Sequence, residues 1–286
     1  MYRVAILGCE NSHADSFLDY VITQGAIRDI AFVGLYSEEA TAVDKLSARF
    51  GVPKMERYDE LVGKVDGIII TARNGANHYK YAKPYIASGI PMFIDKPITN
   101  TEEDLCAFMA DLSAHGVRFT GGSSCAHTAG VQRMAALAND AESFPILGGF
   151  VRAPISLRNE YGGFPFYAQH LTQAMCKIFG YDPLSVRATQ NGSCITLTVR
   201  YEGYDVCGQY TEGGYYAGVS CKTGVFGENY GFEGAFEAEF EEFYHILKGG
   251  EQPLTAKEFA APVFMTCAIM RSLSSGEEEK IHTLNI

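Results

Sequence analysis

Short apolar runs alternate with amphipathic stretches over the first 120 residues of the chain. Runs without polar alternation are typical of strands that are buried on both faces, as in a parallel sheet. Between them, apolar residues at helical spacing and an acidic first turn predict helices. This alternation predicts a doubly wound α/β domain built on a parallel sheet. The predicted strands lie at 4–7, 30–36, 67–71, 91–94 and 117–120, and the predicted helices at 41–50, 77–88 and 101–115.

The pattern changes after about residue 124. Strand-like segments now follow one another closely, and the turns between them contain Gly and Asn, which favours an antiparallel sheet. We therefore predict two domains: an α/β domain at 1–122, and an α+β domain with a mainly antiparallel sheet at 123–286. The predicted strands of the second domain lie at 147–155, 193–200, 204–211 and 215–222, and its helices at 170–179, 233–247 and 256–273.

Composition narrows the choice of partners. The 286 residues are 47% apolar and carry a formal charge of −11. The apolar fraction supports a folded core, whereas the negative charge disfavours nucleic acid and anionic membranes as partners. No apolar run approaches the roughly 18 residues of a membrane span, and no signal sequence precedes the first strand-like run.

The cysteines and histidines do not have the spacing of metal ligands. The eight cysteines are scattered without a CxxC pair, and His13, His127 and His245 are too far apart in sequence to form a zinc motif. We therefore predict free thiols, no metal and a cytoplasmic location.

The loop after the first predicted strand lies where a doubly wound domain holds a nucleotide. It reads Gly8-Cys9-Glu10-Asn11-Ser12-His13 and precedes a predicted helix. The dinucleotide fingerprint GxGxxG needs glycine at positions 8, 10 and 13, and only Gly8 is present. The candidate cofactor contacts in this loop are Gly8, Glu10, Asn11, Ser12 and His13. The alternative is a tight turn that binds nothing.

The residues after the second predicted strand bear on the choice between NAD and NADP. An acidic side chain at this strand tip binds the ribose 2′-hydroxyl of NAD, whereas a nearby arginine accepts the 2′-phosphate of NADP. Ser37 stands at the expected tip and is followed by Glu38 and Glu39. Because two carboxylates would repel a phosphate, we expect NAD or NADP, with NAD favoured.

Two later segments resemble a known family. The stretch 69–78 contains Thr71, Asn74 and His78, and a following strand-like run ends in Asp95-Lys96-Pro97. Together with the closing segments 236–243, 250–255 and 270–276, they resemble the Gfo/Idh/MocA oxidoreductases. The resemblance implies a Rossmann-type N-terminal domain, a nicotinamide cofactor and a sugar, polyol or related substrate. The resemblance assigns to the cofactor site Thr71, Asn74, His78, Asp95 and Lys96. It also makes a homodimer or larger homo-oligomer the expected assembly.

Lys96 is the leading catalytic candidate by this resemblance. It follows a buried strand at the carboxyl edge of the sheet, where ligands bind in such folds. Oxidation of a hydroxyl group needs a base for the hydroxyl proton, and an amine in a cleft can serve as one. Asp95 would pair with a ribose hydroxyl or hold Lys96 in place. A surface Lys-Pro turn is the alternative.

His170 is the second catalytic candidate, since the Gly-rich stretch 162–170 resembles the family's approach to a catalytic histidine. Many relatives have Asp four residues before this histidine and another acid three residues after it, where this chain has Phe166 and Gln173. Tyr167 is a further candidate for proton transfer, because a phenol can donate or accept a proton. The candidate substrate contacts are Lys96, Ser123, Asn159, Tyr167 and His170.

These observations support two hypotheses. The first is an NAD(P)-dependent oxidoreductase with an atypical active site that acts on a small sugar-like molecule. The second is a catalytically inactive NAD(P)-binding sensor or regulatory protein of the same fold, which would explain the missing glycines and acids.

Overall fold

The computed structural model describes residues 1–140 and 145–285 of the chain. Its first sheet is parallel throughout, and the order of its strands along the sheet is 2-1-3-4-5. Each of the five apolar runs of the N-terminal part forms one of these strands. The strands are β1 (Tyr2–Leu7), β2 (Ile30–Tyr36), β3 (Gly67–Ile70), β4 (Met92–Asp95) and β5 (Phe119–Gly122).

Helices cover both faces of the first sheet because neighbouring strand residues point to opposite sides. Ile6 and Ile69 pack in one core with α1, α2 and α7, whereas Ile68 and Ile94 pack in another with α3 and α4. The predicted Rossmann-type α/β architecture is therefore confirmed. The helices are α1 (Ser12–Leu18), α2 (Ala40–Phe50), α3 (Ala76–Ile86), α4 (Glu102–Ala114), α5 (Ala129–Asn139), α6 (Pro165–Phe179), α7 (Ala235–Leu247) and α8 (Ala256–Ser275).

Helix α7 comes from the late part of the chain but packs on the first sheet. Its residues Phe240 and Phe243 share a core with Phe17 of α1 and Phe93 of β4. A Cβ atom at Gly67 of β3 would lie 2.8 Å from Leu247 Cδ1, so the helix approaches the strand closely at this glycine. The first sheet thus depends on a helix outside the predicted domain 1–122.

The second sheet has seven strands in the order 11-10-6-9-8-7-12. All of its strand pairs are antiparallel except β6–β9, as predicted for a mainly antiparallel sheet. Helices α5, α6 and α8 pack against this sheet. Its strands are β6 (Ile146–Ala153), β7 (Ser185–Asn191), β8 (Cys194–Tyr201), β9 (Tyr204–Tyr210), β10 (Tyr215–Cys221), β11 (Gly224–Tyr230) and β12 (Glu279–Lys280).

Four of the labelled strands and helices were not predicted from the sequence. Strands β7 and β11 each expose four of their seven residues, β12 is only two residues long, and five of the eleven residues of α5 are Ala or Gly, so none of the four has a strong apolar pattern. Helix α6 also begins earlier than predicted, at Pro165 rather than at residue 170, because proline is well tolerated in the first turn of a helix.

The fold brings the ends of several strands to one edge. The loops that follow β1, β2, β3 and β4 all leave the carboxyl edge of the first sheet, because the strands are parallel. Helix α6 of the second sheet's layer presents its first turns to this edge, where Lys96 contacts Phe166. Within the described ranges, no helix is long and apolar enough to cross a membrane.

Candidate active site

Three cavities that share walls lie along the carboxyl edge of the first sheet. The inner cavity, of about 380 Å³, is lined by Lys96 and His170 among others. The loop cavity, of about 350 Å³, shares Asn11, Ser12 and Arg73 with the inner cavity. The outer cavity, of about 230 Å³, shares Glu10 with the loop cavity and lies beside Ser37. The arrangement is an elongated groove that ends at Lys96.

Glu10 stands where the loop cavity meets the outer cavity. Its carboxylate accepts hydrogen bonds from Ser37 Oγ at 2.7 Å and from the backbone N–H of Arg73 at 2.9 Å. It therefore joins the loop after β1 to the loops after β2 and β3. Glu10, which replaces the second glycine of the fingerprint, thus points toward the tip of β2, where a ribose-binding acid was expected.

Gly8, Thr71 and His78 hold the surrounding loops together. Gly8 has φ = +79°, and a Cβ atom there would lie 2.4 Å from the backbone of Ala72, so only glycine fits. Thr71 Oγ1 donates to the Gly8 carbonyl at 3.0 Å. His78 is fully buried, and its Nε2 lies 2.7 Å from the Ala72 carbonyl. Because of this burial, the pKa of His78 falls to about 4.

Asp95 is buried directly behind the inner cavity. Its carboxylate accepts hydrogen bonds from Asn11 Nδ2 at 2.7 Å and from the backbone N–H of Lys96 at 2.6 Å. His13 Nδ1 lies 3.2 Å from the same carboxylate. Burial raises the pKa of Asp95 to about 7, although the positive charge of Lys96 opposes this shift. Asp95 therefore ties the loop after β1 to the residue that follows β4.

A second buried carboxyl group, Glu239 of α7, lies on the other side of His13. Its Oε2 atom is 3.5 Å from His13 Nε2. Burial, together with the charge of Asp95, raises the pKa of Glu239 well above its ordinary value. Burial and the charge of Lys96 lower the pKa of His13 well below its ordinary value. Sequence reasoning missed Glu239, because nothing in the pattern of α7 distinguishes it from the other acids of that helix.

Lys96 projects into the inner cavity and meets two aromatic rings of α6. Its Nζ atom lies 4.9 Å from the centre of the Phe166 ring and 5.7 Å from that of Tyr167. A cation above an aromatic face is attracted by the ring quadrupole. Phe166, which stands where many relatives carry an aspartate, thus contacts Lys96 through the face of its ring.

His170 lines the inner cavity from α6. Ser123 Oγ lies 2.7 Å from its Nδ1, which leaves Nε2 as the ring nitrogen available to a ligand. Burial lowers the pKa of His170 well below its ordinary value, so the imidazole is neutral. Cys125 Sγ is 3.6 Å from the same Nδ1, but burial raises the pKa of this thiol to about 12, which argues against a nucleophilic thiolate.

Two of the predicted contacts organise loops. Asn74 Oδ1 accepts a hydrogen bond from Asn100 Nδ2 at 2.7 Å, and Asn74 also borders the outer cavity. Asn159 donates to the Ser156 and Gly163 carbonyls and accepts from two backbone N–H groups, so its side chain shapes the loop before α6. Tyr167 lines the inner cavity, whereas Ser123 contributes through His170.

Arg73 and Tyr161 form a part of the groove that sequence reasoning did not identify. Arg73 Nη1 donates to the Tyr161 hydroxyl at 2.7 Å. Arg73 borders the inner and loop cavities, whereas Tyr161 borders the inner and outer cavities, so the pair stands where all three come together. Arg73 lies within the segment that resembles the family, but its type and position gave no separate signal.

The groove fits a dinucleotide in shape and in most of its chemistry. It is long, is lined by both polar and apolar side chains, and runs across the ends of β2, β1, β3 and β4, the region where α/β sheets bind such cofactors. Among the described residues, buried polar atoms at its inner end lack a hydrogen-bond partner, one of them Ser124 Oγ in the wall of the inner cavity. Glu10 is the exception, because its negative charge faces the path of the phosphates.

Comparison with known proteins agrees with this geometry. Residues 2–123 match the family model GFO_IDH_MocA, described as an oxidoreductase family with the NAD-binding Rossmann fold. The matched range contains the loops after β1, β2, β3 and β4, which form one side of the groove. A comparison with curated protein sequences finds no match.

Solved structures share the fold over the whole chain. A myo-inositol dehydrogenase from Corynebacterium glutamicum is 15% identical, with a TM-score of 0.83 over 100% of this chain and 99% of its own. The scyllo-inositol dehydrogenase of Lactobacillus casei, solved with NAD(H) and scyllo-inositol, is 13% identical, with a TM-score of 0.83 over 98% and 99%. GenD2 from gentamicin A biosynthesis, solved with NAD, is 15% identical, with a TM-score of 0.83 over 98% and 96%.

Fold and family thus converge on the same edge of the first sheet. The structural neighbours share the architecture of two sheets, and the family model covers the first sheet, whose carboxyl edge carries the groove. Residues 2–123 of this chain match the model of the GFO/IDH/MocA oxidoreductase family, the family that the motif at Asp95-Lys96-Pro97 resembles.

Proposed function

We propose that the chain is an oxidoreductase that transfers hydride between NAD(P) and a hydroxyl or carbonyl group of a sugar, polyol or related compound. The observation that carries the proposal is the position of Lys96, which enters the inner cavity beside His170 at the end of the groove. One side of the groove is formed by loops of the range that matches an NAD-binding family model. When bound, the cofactor supplies the acceptor for the hydride.

Lys96 moves the substrate proton in this proposal. Its Nζ lies 4.9 Å from the centre of the Phe166 ring of α6, and only 5% of the residue is exposed. His170 is neutral, because burial lowers its pKa, and its Nε2 hydrogen-bonds a substrate oxygen while Ser123 fixes the ring. Tyr167 offers a second hydroxyl group close to Lys96. Together these groups orient the substrate and take up its proton.

The walls of the inner cavity suit a polyol. Asn11, Ser12 and Ser124 supply hydrogen-bonding groups, and the Ser124 hydroxyl is buried without a protein partner among the described residues. Phe166 and Phe232 supply apolar faces for the C–H groups of a ring. The neighbour from Lactobacillus casei that holds scyllo-inositol supports the same substrate class.

NAD is the cofactor that this groove favours. The outer cavity is lined by Glu10, Glu38 and Glu39, and a 2′-phosphate placed there would meet three carboxylates. Lys80 forms an ion pair with Glu38 and compensates only part of this charge. The charge of the outer cavity therefore favours a ribose hydroxyl over a phosphate.

The proposal is tested by titrating the full chain with NADH and NADPH. The chain contains no Trp, so the fluorescence of the bound reduced nicotinamide can be followed with little protein background. We expect binding of NADH, and then NAD-dependent oxidation of at least one member of a panel containing myo-inositol, scyllo-inositol and simple sugars. Failure of both nucleotides to bind at millimolar concentration would overturn the proposal.

A catalytically inactive NAD(P)-binding sensor is the second candidate. It is favoured by Glu10, which faces the phosphate path, and by Phe166 and Gln173, which replace the acids expected around His170. This candidate predicts nucleotide binding without turnover on any member of the panel. Turnover with a single substrate excludes it.

We further propose a homo-oligomer in the cytoplasm. Apolar side chains of the second sheet, Leu147, Val225 and Phe226, are exposed to solvent in the single chain, which supports an association between copies. The cytoplasmic location is proposed only because the cysteines are scattered along the sequence, which is typical of proteins with free thiols. Light scattering of the purified chain tests the assembly, and a monomer at high concentration would overturn it.

A further inference from the structure

One imidazole lies between two buried carboxyl groups beside the inner cavity. His13 borders this cavity, and only 3% of the residue is exposed. Its Nδ1 faces Asp95, and its Nε2 faces Glu239. Both acids are fully buried. None of the catalytic roles proposed above uses Glu239, although it comes from a helix distant in sequence and points at the wall of the site.

The neighbours of Nδ1 show that this nitrogen carries a proton. Asn11 Nδ2 donates to Asp95, so Asn11 Oδ1 is the acceptor of that amide, and it already accepts from Ser12 Oγ and from the backbone N–H of His13. His13 Nδ1 lies 3.3 Å from Asn11 Oδ1 and 3.2 Å from Asp95 Oδ2. A nitrogen that faces two oxygen acceptors must donate, since an unprotonated Nδ1 would oppose its lone pair to theirs.

The other nitrogen must then accept a hydrogen bond. Because the pKa of His13 is lowered by burial, the ring is neutral and carries only one N–H. Its Nε2 has no hydrogen-bond donor among the described residues, and Glu239 Oε2 lies 3.5 Å from it. Neither oxygen of Glu239 has a hydrogen-bond partner in the described chain. A protonated Glu239 gives Nε2 a donor and leaves no buried negative charge on the acid.

The charges around the two acids agree with this assignment. Asp95 accepts two N–H groups, whereas Glu239 accepts none, so the proton is held more tightly by Glu239. Glu239 also feels the negative charges of Asp95 and Glu242, which oppose its ionisation, and only Lys96 favours it. The thiol of Cys125, in the short 3-10 helix Ser124–His127, is neutral because burial raises its pKa to about 12.

We propose that Glu239 is a positioning residue of the active site: its carboxylic proton fixes His13 as the Nδ1–H tautomer, and His13 in turn keeps Asp95 ionised behind Lys96. The inference rests on the proposed function, because Lys96 is the group expected to move the substrate proton. If Glu239 ionises, the single N–H of His13 turns toward it, and Asp95 loses a donor.

The test reads the protonation states by NMR on the full chain, without cofactor. In ¹³C-glutamate and ¹⁵N-histidine labelled protein at about pH 8, above the Asp95 pKa of about 7, we expect one protonated glutamate carboxyl and an Nδ1–H tautomer for His13. The protonated carboxyl signal must be absent in Glu239→Gln and present in Glu237→Gln, a control on the same helix. A spectrum in which every glutamate is ionised, or in which His13 is the Nε2–H tautomer, overturns the proposal.

Kinetics separate positioning from simple structural support. The Glu239→Gln amide can donate to Nε2 as the protonated acid does, so this variant should keep wild-type kcat. The isosteric but apolar Glu239→Leu should lower kcat by about 10-fold, the effect of one lost hydrogen bond of about 1.4 kcal/mol, with KM unchanged. Equal kcat values for the two variants overturn the inference.

Failure of this inference can be distinguished from failure of the proposed function. If the chain binds no nicotinamide nucleotide, the proposed function fails, and the NMR signals still decide the state of Glu239. If turnover is present and Glu239 is ionised at about pH 8, the proposed function stands and the inference is wrong.

Discussion

The Nζ atom of Lys96 lies 4.9 Å from the centre of the Phe166 ring. By the family resemblance, many relatives have an aspartate at the position of Phe166, so an aromatic face stands in this chain where a carboxylate would pair with or orient the site. Such a contact contributes roughly 0.5–2 kcal/mol, depending on how far it is removed from water. The lysine is therefore held in position without a negative charge from α6.

Replacing this ring tests its contribution to catalysis. Phe166→Leu removes the aromatic face but keeps an apolar side chain, so we expect kcat/KM for a polyol to fall by about 2- to 30-fold. The control is Phe164→Leu, because Phe164 packs on Tyr210, with 5.4 Å between ring centres. Equal losses in the two variants would show that the effect is one of helix packing.

Lys96 itself should contribute far more to turnover than to nucleotide binding, although the family resemblance places it in the cofactor site. Lys96→Met keeps the length of the side chain and removes its proton-transfer group, so we expect turnover to fall by about 10²- to 10⁴-fold. Binding of NADH, followed by its fluorescence, should change little. Lys64→Met, an exposed lysine of the first domain, serves as the control. Full turnover in Lys96→Met would contradict the assignment.

Glu10 should control the preference between the two cofactors. Glu10→Gln keeps an acceptor oxygen for the Arg73 N–H and can donate its amide N–H to the Ser37 hydroxyl, but it removes one negative charge from the groove. We expect NADPH binding to strengthen relative to NADH binding by about 10-fold, the effect of one charge interaction of about 1.4 kcal/mol. The exposed Glu56→Gln is the matched control, and an unchanged ratio of the two dissociation constants in Glu10→Gln would refute the prediction.

His78 should make the fold sensitive to acid. The folded state holds its pKa at about 4, below the ordinary value of 6.5, so the unfolded chain binds more protons between these values. Stability therefore falls as the pH drops from 6.5 to 4, by up to roughly 3 kcal/mol from this residue. In His78→Gln the decline in Tm over this range should be shallower. The exposed His115→Gln should leave the slope as in the wild type, and an identical slope in all three proteins would disprove the effect.

The sequence predicted the first sheet well because every strand of it is covered on both faces. Burial on two sides makes each strand an uninterrupted apolar run, which needs no knowledge of the neighbouring strands to be found. Strand β11 shows the opposite case. Its Val225 and Phe226 are exposed and glycines interrupt it, so its place in the sheet depends on pairing with β10 and leaves little trace in the local pattern.

The site could be predicted only as far as it follows the strand ends. Lys96 and the loop at 8–13 come directly after strands, and parallel strands bring their ends to one edge, so their proximity follows from the topology. The contact between His13 and Glu239 depends on how α7 docks on the sheet, which no local pattern encodes. The direction of the Glu10 side chain was equally out of reach, because it is set by donors on two other loops.

The docking of α7 has a consequence for how the protein is made. One face of the first sheet, including Phe93, is covered by Phe240 and Phe243. A ribosome synthesises the five strands of that sheet long before it reaches this helix. The nascent chain therefore leaves the exit tunnel with an apolar sheet face that is not yet covered by α7. Chaperones that bind exposed apolar chain would find their target there, and would release it only when translation has passed residue 247.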